Sequence, residues 1–206
     1  MINKPAFYVD MEACTGCKTC MVACMDKNDL PAGTFYRRVI EYTGGEWKKF
    51  AGATYSQTVF SYYISISCNH CANSICIRSC STGAMNRDEY GIVSVDHNKC
   101  VGCRYCEWAC PYFAPQYRET LKQMTKCDFC RDLLLKGQEP ACVSACPMRA
   151  IHYGSFDVMV QQFGLSRNIA PLPDPSITLP HYLFKPSHNA RPASTHAGAF
   201  IDYDDQ

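Results

Sequence analysis

The chain has 206 residues, enough for one domain or two small ones. Its 20 basic and 19 acidic residues leave a formal charge of +1, so no strong field favours nucleic acid or anionic lipid. Lys4 is the one early basic residue and no long apolar core follows it, so no secretory or twin-arginine leader is expected.

In chain order, Ala6-Phe7-Tyr8-Val9 reads as a strand leading to Cys14, Cys17, Cys20 and Cys24, spaced C-x2-C-x2-C-x3-C. The adjacent basic pairs that follow, Arg37-Arg38 and Lys48-Lys49, read as solvated surface. Ala51 to Ile77 carries no Asp, Glu, Lys or Arg, yet Gln57, Asn69, Asn73 and three cysteines argue against a lipid-facing helix. No direct transmembrane span is expected, and any membrane association would come through a partner. Inside that stretch, residues 59–66 are rich in β-branched and aromatic side chains and read as a strand. It runs into Cys68, Cys71, Cys76 and Cys80, spaced C-x2-C-x4-C-x3-C.

Gly83-Ala84-Met85 begins a strand that turns over residues 87–91 and returns as Ile92-Val93-Ser94-Val95. Next come Cys100, Cys103, Cys106 and Cys110, with the first group's spacing and a following Pro111. The fourth group is Cys127, Cys130, Cys142 and Cys146, spaced C-x2-C-x11-C-x3-C and followed by Pro147. Residues 149–153 read as a strand, and Ser155 to Phe163 as a short helix with Ser155 as N-cap and Gly164 as its stop. Residues 171–192 hold six of the twelve prolines, which excludes a regular helix or a central strand. Ile177, Leu179, Tyr182, Leu183 and Phe184 predict an extended arm on its own domain or on a partner, against the alternative of a disordered terminus.

The sixteen cysteines leave none over. Three thiolates within seven residues and a fourth shortly after form the bacterial-ferredoxin run for cubane iron–sulfur clusters. Zinc ligands come as C-x2-C pairs separated by a longer loop, a spacing that only the fourth group approaches. A disulfide framework belongs to shorter secreted chains. The expected cofactors are therefore four [4Fe-4S] clusters, with a zinc-stabilised interaction protein as the alternative.

The fold class expected is α+β, with two bacterial-ferredoxin-like units, one inserted in the other. Residues 1–53 and 118–165 would form the outer unit, 54–117 the inserted unit and 166–206 the extended proline-rich arm. The hairpin between groups two and three favours this nesting over pairing one with two and three with four. In two-cluster ferredoxins the fourth cysteine of each run crosses to the other cluster. Applied here, one cluster takes Cys14, Cys17, Cys20 and Cys146, and a second takes Cys24, Cys127, Cys130 and Cys142. A third takes Cys68, Cys71, Cys76 and Cys110, and the fourth Cys80, Cys100, Cys103 and Cys106.

Lys18 and Arg104 occupy matching places after the second cysteine. Each is either a cation that raises its cluster's potential or an exposed loop tip. Pro111 and Pro147 turn the chain after the fourth ligand; Met25 and Ser81 stand there in groups one and two, so the turn is not expected to be uniform. His70 finds no missing thiolate to replace and reads as a hydrogen-bonding or surface residue. No nucleophile–base pair, glycine-rich phosphate loop or nicotinamide fingerprint is present, so the chain is not expected to be an enzyme by itself.

The segments Cys14-Thr-Gly-Cys-Lys-Thr-Cys20, Ser65-Ile-Ser-Cys-Asn-His-Cys71, Gly102-Cys-Arg-Tyr-Cys106, Ala109-Cys-Pro-Tyr112 and Met124-Thr-Lys-Cys127 carry a resemblance. With Ala170-Pro-Leu-Pro173 in the tail, the chain resembles the four-cluster iron–sulfur subunits of molybdopterin oxidoreductases, the anaerobic dimethyl sulfoxide reductase type above all. The resemblance implies a heterotrimer with a molybdopterin-containing catalytic subunit and a membrane anchor subunit that oxidises menaquinol. It implies a peripheral place on the bacterial inner membrane, on the periplasmic face by co-export with the catalytic subunit. Electrons would enter at the Cys100 cluster and pass by those of Cys68 and Cys127 to that of Cys14. Cys103, where some relatives have Trp and a three-iron cluster, keeps its thiolate. A formate dehydrogenase subunit with reversed flow is the alternative within this family. Cys80-Ser81 departs from the Cys-Pro of close relatives and puts the local turn in doubt.

Overall fold

The apolar run around Phe7 forms β1 (Pro5–Asp10), buried along nearly its whole length because both faces are packed, Phe7 and Val9 in one cluster and Ala6 and Tyr8 in another. The computed structural model describes residues 3–195 and 198–201. After β1 come α1 (Thr19–Lys27), β2 (Arg37–Gly44), β3 (Trp47–Lys49), β4 (Tyr55–Gln57) and β5 (Phe60–Ser67). They are followed by α2 (Ile75–Arg78), β6 (Met85–Arg87), β7 (Val93–Val95), α3 (Tyr105–Ala109), β8 (Gln116–Arg118) and β9 (Gln123–Thr125). The last elements are α4 (Arg131–Leu135), α5 (Ala141–Ser144), β10 (Ile151–Ser155), α6 (Phe156–Phe163), β11 (Tyr182–Lys185) and β12 (Gly198–Ile201). Among the described residues no helix is long and apolar enough to cross a membrane.

The first sheet has the order β10-β1-β11. β10 runs antiparallel to β1 with Ile151 opposite Val9, and β11 runs parallel to it with Phe184 opposite Val9. Residues 182–185 therefore pair with β1 of the same chain. Pro180 and Pro186 flank β11 and confine it to a sheet edge, where a missing N–H costs no ladder bond. Leu183 packs with Ala6, Tyr8 and Met159, and Tyr8 stacks on Phe163 at 3.9 Å, so α6 covers this face. Gly164 (φ 81°) ends α6 as expected; Ser155 holds the N-cap position, but its side chain makes no capping hydrogen bond.

The second sheet, β12-β2-β5, contains a strand that the sequence reading did not assign. β2 pairs with β5 from Arg37 opposite Ser67 to Gly44 opposite Phe60. This corrects the reading of Arg37-Arg38 as solvated surface. Arg37 lies on the face of β2 that also carries Val39 and is only 1% exposed, while Arg38 is half-buried and donates to the Tyr112 carbonyl. Lys48 and Lys49 are exposed on the β3–β4 hairpin, as expected.

The β6–β7 hairpin forms with Met85 opposite Val95, and β8–β9 adds a second hairpin between groups three and four. The helices that carry cysteines pack in pairs, α1 against α5 and α2 against α3.

Candidate metal centres

All four cysteine groups build the same C-x2-C turn. The residue before the second cysteine has positive φ in each: Gly16 (70°), His70 (43°), Gly102 (69°) and Phe129 (62°). This left-handed corner folds the backbone around the thiols, which suits glycine. Glycine is also needed sterically at Gly102, where a Cβ would lie 2.3 Å from the Lys122 carbonyl oxygen. His70 and Phe129 adopt the same conformation at a cost of about 1–3 kcal/mol each. Packing offsets it, since both rings are buried, meet edge-on at 5.4 Å, and Phe129 stacks on Phe7 at 4.1 Å. His70 is thus a core residue whose Nδ1 accepts the Val93 N–H (3.0 Å).

A second turn repeats after the fourth cysteine. Gly83, Phe113 and Arg149, each three residues on, have φ of 65°, 51° and 50°. Their N–H groups donate to the carbonyls of Cys80, Cys110 and Cys146 at 3.2, 3.1 and 3.2 Å. Ser81 therefore makes the turn that Pro111 and Pro147 make, which corrects the expected irregularity in group two. Group one differs for another reason: Cys24 and Met25 continue α1. Backbone donors from these turns and from β9 point at sulfur. Met85 N–H reaches Cys80 Sγ (3.3 Å), Ala150 N–H Cys146 Sγ (3.4 Å), Met124 N–H Cys100 Sγ (3.4 Å) and Phe129 N–H Cys127 Sγ (3.4 Å).

The thiols gather around separate cavities. One is lined by Cys68, Cys71, Cys76 and Cys110, a second by Cys14, Cys17, Cys20 and Cys146, and a third by Cys80, Cys100, Cys103 and Cys106. Their empty space, counted to the mouths, is alike at about 380, 310 and 300 Å³. The remaining four are also neighbours. Cys24 senses the charges of Cys142 and Cys130, and Cys127 those of Cys24 and Cys130. Across sets, Cys20 senses Cys142 and Cys127 senses Cys68. Cys76 and Cys80 lie on and just beyond α2, so successive sets adjoin.

Burial raises most of these thiols and their neighbours raise them further. Burial, then Cys142 and Cys130, push Cys24 to about 12. Burial and Cys68 push Cys71 and Cys76 to about 12, and burial with Cys80 and Cys100 does the same for Cys106. Burial opposes the Cys80 thiolate as well, but the Met85 N–H and the Thr82 hydroxyl outweigh it and lower that pKa. Crowded thiolates at such positions need a cationic core among them. Among the described residues, no three His, Cys, Asp or Glu side chains converge tightly enough to hold a single metal ion. One zinc would draw four sulfurs to within about 3.8 Å of one another, given Zn–S bonds of about 2.3 Å. Thiols spread around a cavity, with N–H groups directed at their sulfurs, fit a polynuclear iron–sulfur core instead.

Two buried cations stand beside the thiols: Arg37, expected at the solvated surface, and Lys126, to which the sequence reading assigned no role. Arg37 donates through Nη1 to Ser65 Oγ (3.0 Å) and Tyr182 Oη (2.8 Å), and through Nη2 to Ser67 Oγ (3.2 Å). Burial opposes its charge, yet Cys142, Tyr182 and Cys20 outweigh it and hold the guanidinium's pKa well above its ordinary value. Lys126, 6% exposed, donates to the carbonyls of Val93 and Cys127 and lies on the wall of the Cys68 cavity. Alternation along Arg37-Arg38-Val39 was the available signal for the first. The second stands directly before a ligand-type cysteine. Arg104 is exposed and already engaged: it pairs with Glu107 (2.7 Å) and lies over the Tyr117 ring. Its charge is shared with that carboxylate, which favours the loop-tip reading.

A family model described as "4Fe-4S dicluster domain" matches residues 59–156. The sequence is 46% identical over 198 residues to the B subunit of anaerobic dimethyl sulfoxide reductase from Escherichia coli (strain K12), covering 96% of each. It is 40% identical to the thiosulfate reductase electron transfer subunit of Salmonella typhi, covering 76% of this chain and 79% of that one. It is also 40% identical to the B subunit of polysulfide reductase from Wolinella succinogenes, over 75% and 78%. With its thiol cavities and cysteine turns, the protein belongs to the family of [4Fe-4S] electron-transfer subunits of molybdopterin oxidoreductases, together with the B subunits of the dimethyl sulfoxide reductases.

Proposed function

We propose that this chain carries four [4Fe-4S] clusters and relays electrons from a menaquinol-oxidising membrane anchor to a molybdopterin catalytic subunit. That subunit reduces dimethyl sulfoxide and related S- and N-oxides in anaerobic respiration. The chain itself contributes no substrate site. The observation that carries the reading is the gathering of thiols into four adjoining sets. Cys14, Cys17, Cys20 and Cys146 hold one cluster, and Cys24, Cys127, Cys130 and Cys142 the next. Cys68, Cys71, Cys76 and Cys110 hold the third, and Cys80, Cys100, Cys103 and Cys106 the fourth. Three of these sets each line their own cavity, which supports the crossed pairing.

The nested arrangement of a 54–117 unit inside the outer one draws support from four contacts. β1 pairs with β10 across the outer unit, and the β6–β7 hairpin lies within the inner one. The cysteine helices pack as α1 with α5 and α2 with α3, that is, group one with four and two with three. The adjoining order of the sets supports a path that starts at Cys100 and ends at Cys14. A heterotrimer on the periplasmic face of the inner membrane completes the proposal.

Anaerobic purification with iron, zinc and acid-labile sulfide analysis tests the cofactor, with about sixteen iron atoms expected for four cubanes. A colourless protein with stoichiometric zinc would sink it. Copurification and sequencing of the catalytic partner tests the reaction. A formate-oxidising partner would reverse the direction of flow, whereas the sulfur-compound reductases among the relatives favour a reductase.

A further inference from the structure

Arg37 is a permanent charge that reaches no carboxylate among the described residues. It is fully buried, its Nε has no hydrogen-bond partner, and its three hydrogen bonds all go to neutral hydroxyls. A guanidinium cannot shed its proton to escape burial, unlike a lysine or histidine. An uncompensated buried charge is strongly unfavourable, so a counter-charge must lie close by. The thiols supply its location. Ser65 Oγ, which accepts from Arg37, lies 3.4 Å from Cys20 Sγ of the first set. Cys24 and Cys142, of the second set, lie on α1 and α5, which pack together, and α1 also packs against β2, the strand that carries Arg37. The ring of Phe7 closes the remaining side, 4.6 Å from the guanidinium carbon.

Resting on the four-cluster reading, we infer that Arg37 is the fixed counter-charge shared by the Cys14-led and Cys127-led clusters, and that it sets their reduction potentials. Four thiolates on a cubane with two ferric and two ferrous irons and four sulfides carry a net charge of 2−, and one added electron makes it 3−. Arg37 stabilises the more negative form of either neighbour without a proton being taken up. It also lessens the repulsion between the two clusters when both are reduced. Arg37 is thus a positioning residue for charge, placed where the wire approaches its far end. Ser65, Ser67 and Tyr182 fix the guanidinium in that place. Tyr182 comes from the C-terminal arm, and its hydroxyl donates in turn to the Ser65 carbonyl (2.7 Å). The arm therefore holds the charge as well as covering the sheet.

The test is a potentiometric titration followed by electron paramagnetic resonance. It uses the full chain purified anaerobically with its partners, as wild type, Arg37→Gln and Arg37→Lys. Iron and sulfide in the wild type establish the clusters independently; their absence there overturns the four-cluster reading itself. In Arg37→Gln, the reduction equilibrium of the two clusters flanking Arg37 should weaken about tenfold, or about 59 mV for one electron. The clusters of the Cys68 and Cys100 sets should keep their potentials. Full iron with unchanged potentials in Arg37→Gln overturns the inference, as does an equal shift in all four clusters. Should Arg37→Gln fail to load, Arg37→Lys decides. Loading with near wild-type potentials supports the charge, and a loading failure like that of Arg37→Gln shows that the hydrogen-bonding fork alone matters and overturns it.

Discussion

The crossed assignment of ligands makes a prediction that iron counting can decide. Cys14 and Cys146 line one cavity, whereas Cys24 senses Cys142 and Cys130 of the neighbouring set. If the sets are crossed, Cys14→Ala with Cys146→Ala removes two of four thiolates from one cluster. A cubane left with two thiolates is lost, and iron falls from about sixteen to about twelve per chain, with four irons to each cubane. Cys14→Ala with Cys24→Ala removes one thiolate from each of two clusters. Each keeps three ligands and can persist with one iron corner missing, so iron falls only to about fourteen, counting one iron per lost thiolate.

An uncrossed arrangement, with Cys14, Cys17, Cys20 and Cys24 on one cluster, reverses the two results. The assay is iron and acid-labile sulfide content per chain after anaerobic purification. Electron paramagnetic resonance of the oxidised protein then looks for three-iron signals in the second variant. A deeper loss in the Cys14/Cys24 pair than in the Cys14/Cys146 pair would refute the crossed sets and the nested units with them.

Cys103 is exposed and lines the Cys100 cavity. Cys103→Ser should abolish quinol-driven reduction and spare activity driven by an artificial donor to the catalytic subunit; equal loss of both contradicts the order of passage. Leu183 is 0% exposed and joins β11 to α6, so Leu183→Ala should cost about 2–5 kcal/mol in urea unfolding, and an unchanged midpoint would mean the arm does not dock. His181, beside Phe156, has its pKa lowered to about 4 by burial and by Arg87, Arg167 and Lys4, against a smaller opposing pull from Asp157. Because the unfolded imidazole takes its proton near 6.5, stability should be full above that pH and fall as pH drops toward 4. His181→Gln should flatten that limb, as measured by thermal melts across the range; an unaltered limb would place the acid sensitivity elsewhere.

The cysteine groups were legible because their information is local: spacing within a few residues sets the turn. The β6–β7 hairpin and the strand of residues 59–66 were legible because β-branched and aromatic runs announce strands. β2 was not, since its first residue is a charge that belongs inside only when an anionic cofactor is there to balance it. Propensity scales carry no term for that. Phe129 and His70 in the left-handed region were equally hidden. Glycine marks that corner in groups one and three, while the other two groups meet its cost through packing across the chain. Ser81 misled in the opposite sense. Proline is common at that place but not required, because the turn is closed two residues later, at Gly83.

The same residues explain why this fold and its cofactors form one thermodynamic unit. No sheet among the described residues is wider than three strands, and the helices run from four to nine residues. Helices that short are marginal on their own, and so are isolated hairpins such as β6–β7. What the chain adds between them are thiols raised by burial and by one another, and two buried cations that pair with no carboxylate among the described residues. Each charge sign alone destabilises the interior, and bringing a polynuclear iron core to the thiolates reverses both penalties at once. The proposed crossed ligation would add a topological gain. Tying Cys146 to Cys14, and Cys24 to Cys142, would close the longest loops those sets allow, where a crosslink removes the most unfolded-state freedom. Under that proposal, loading the clusters would fix the β1–β10 pairing, because Cys14 follows β1 and Cys146 precedes β10 in the chain.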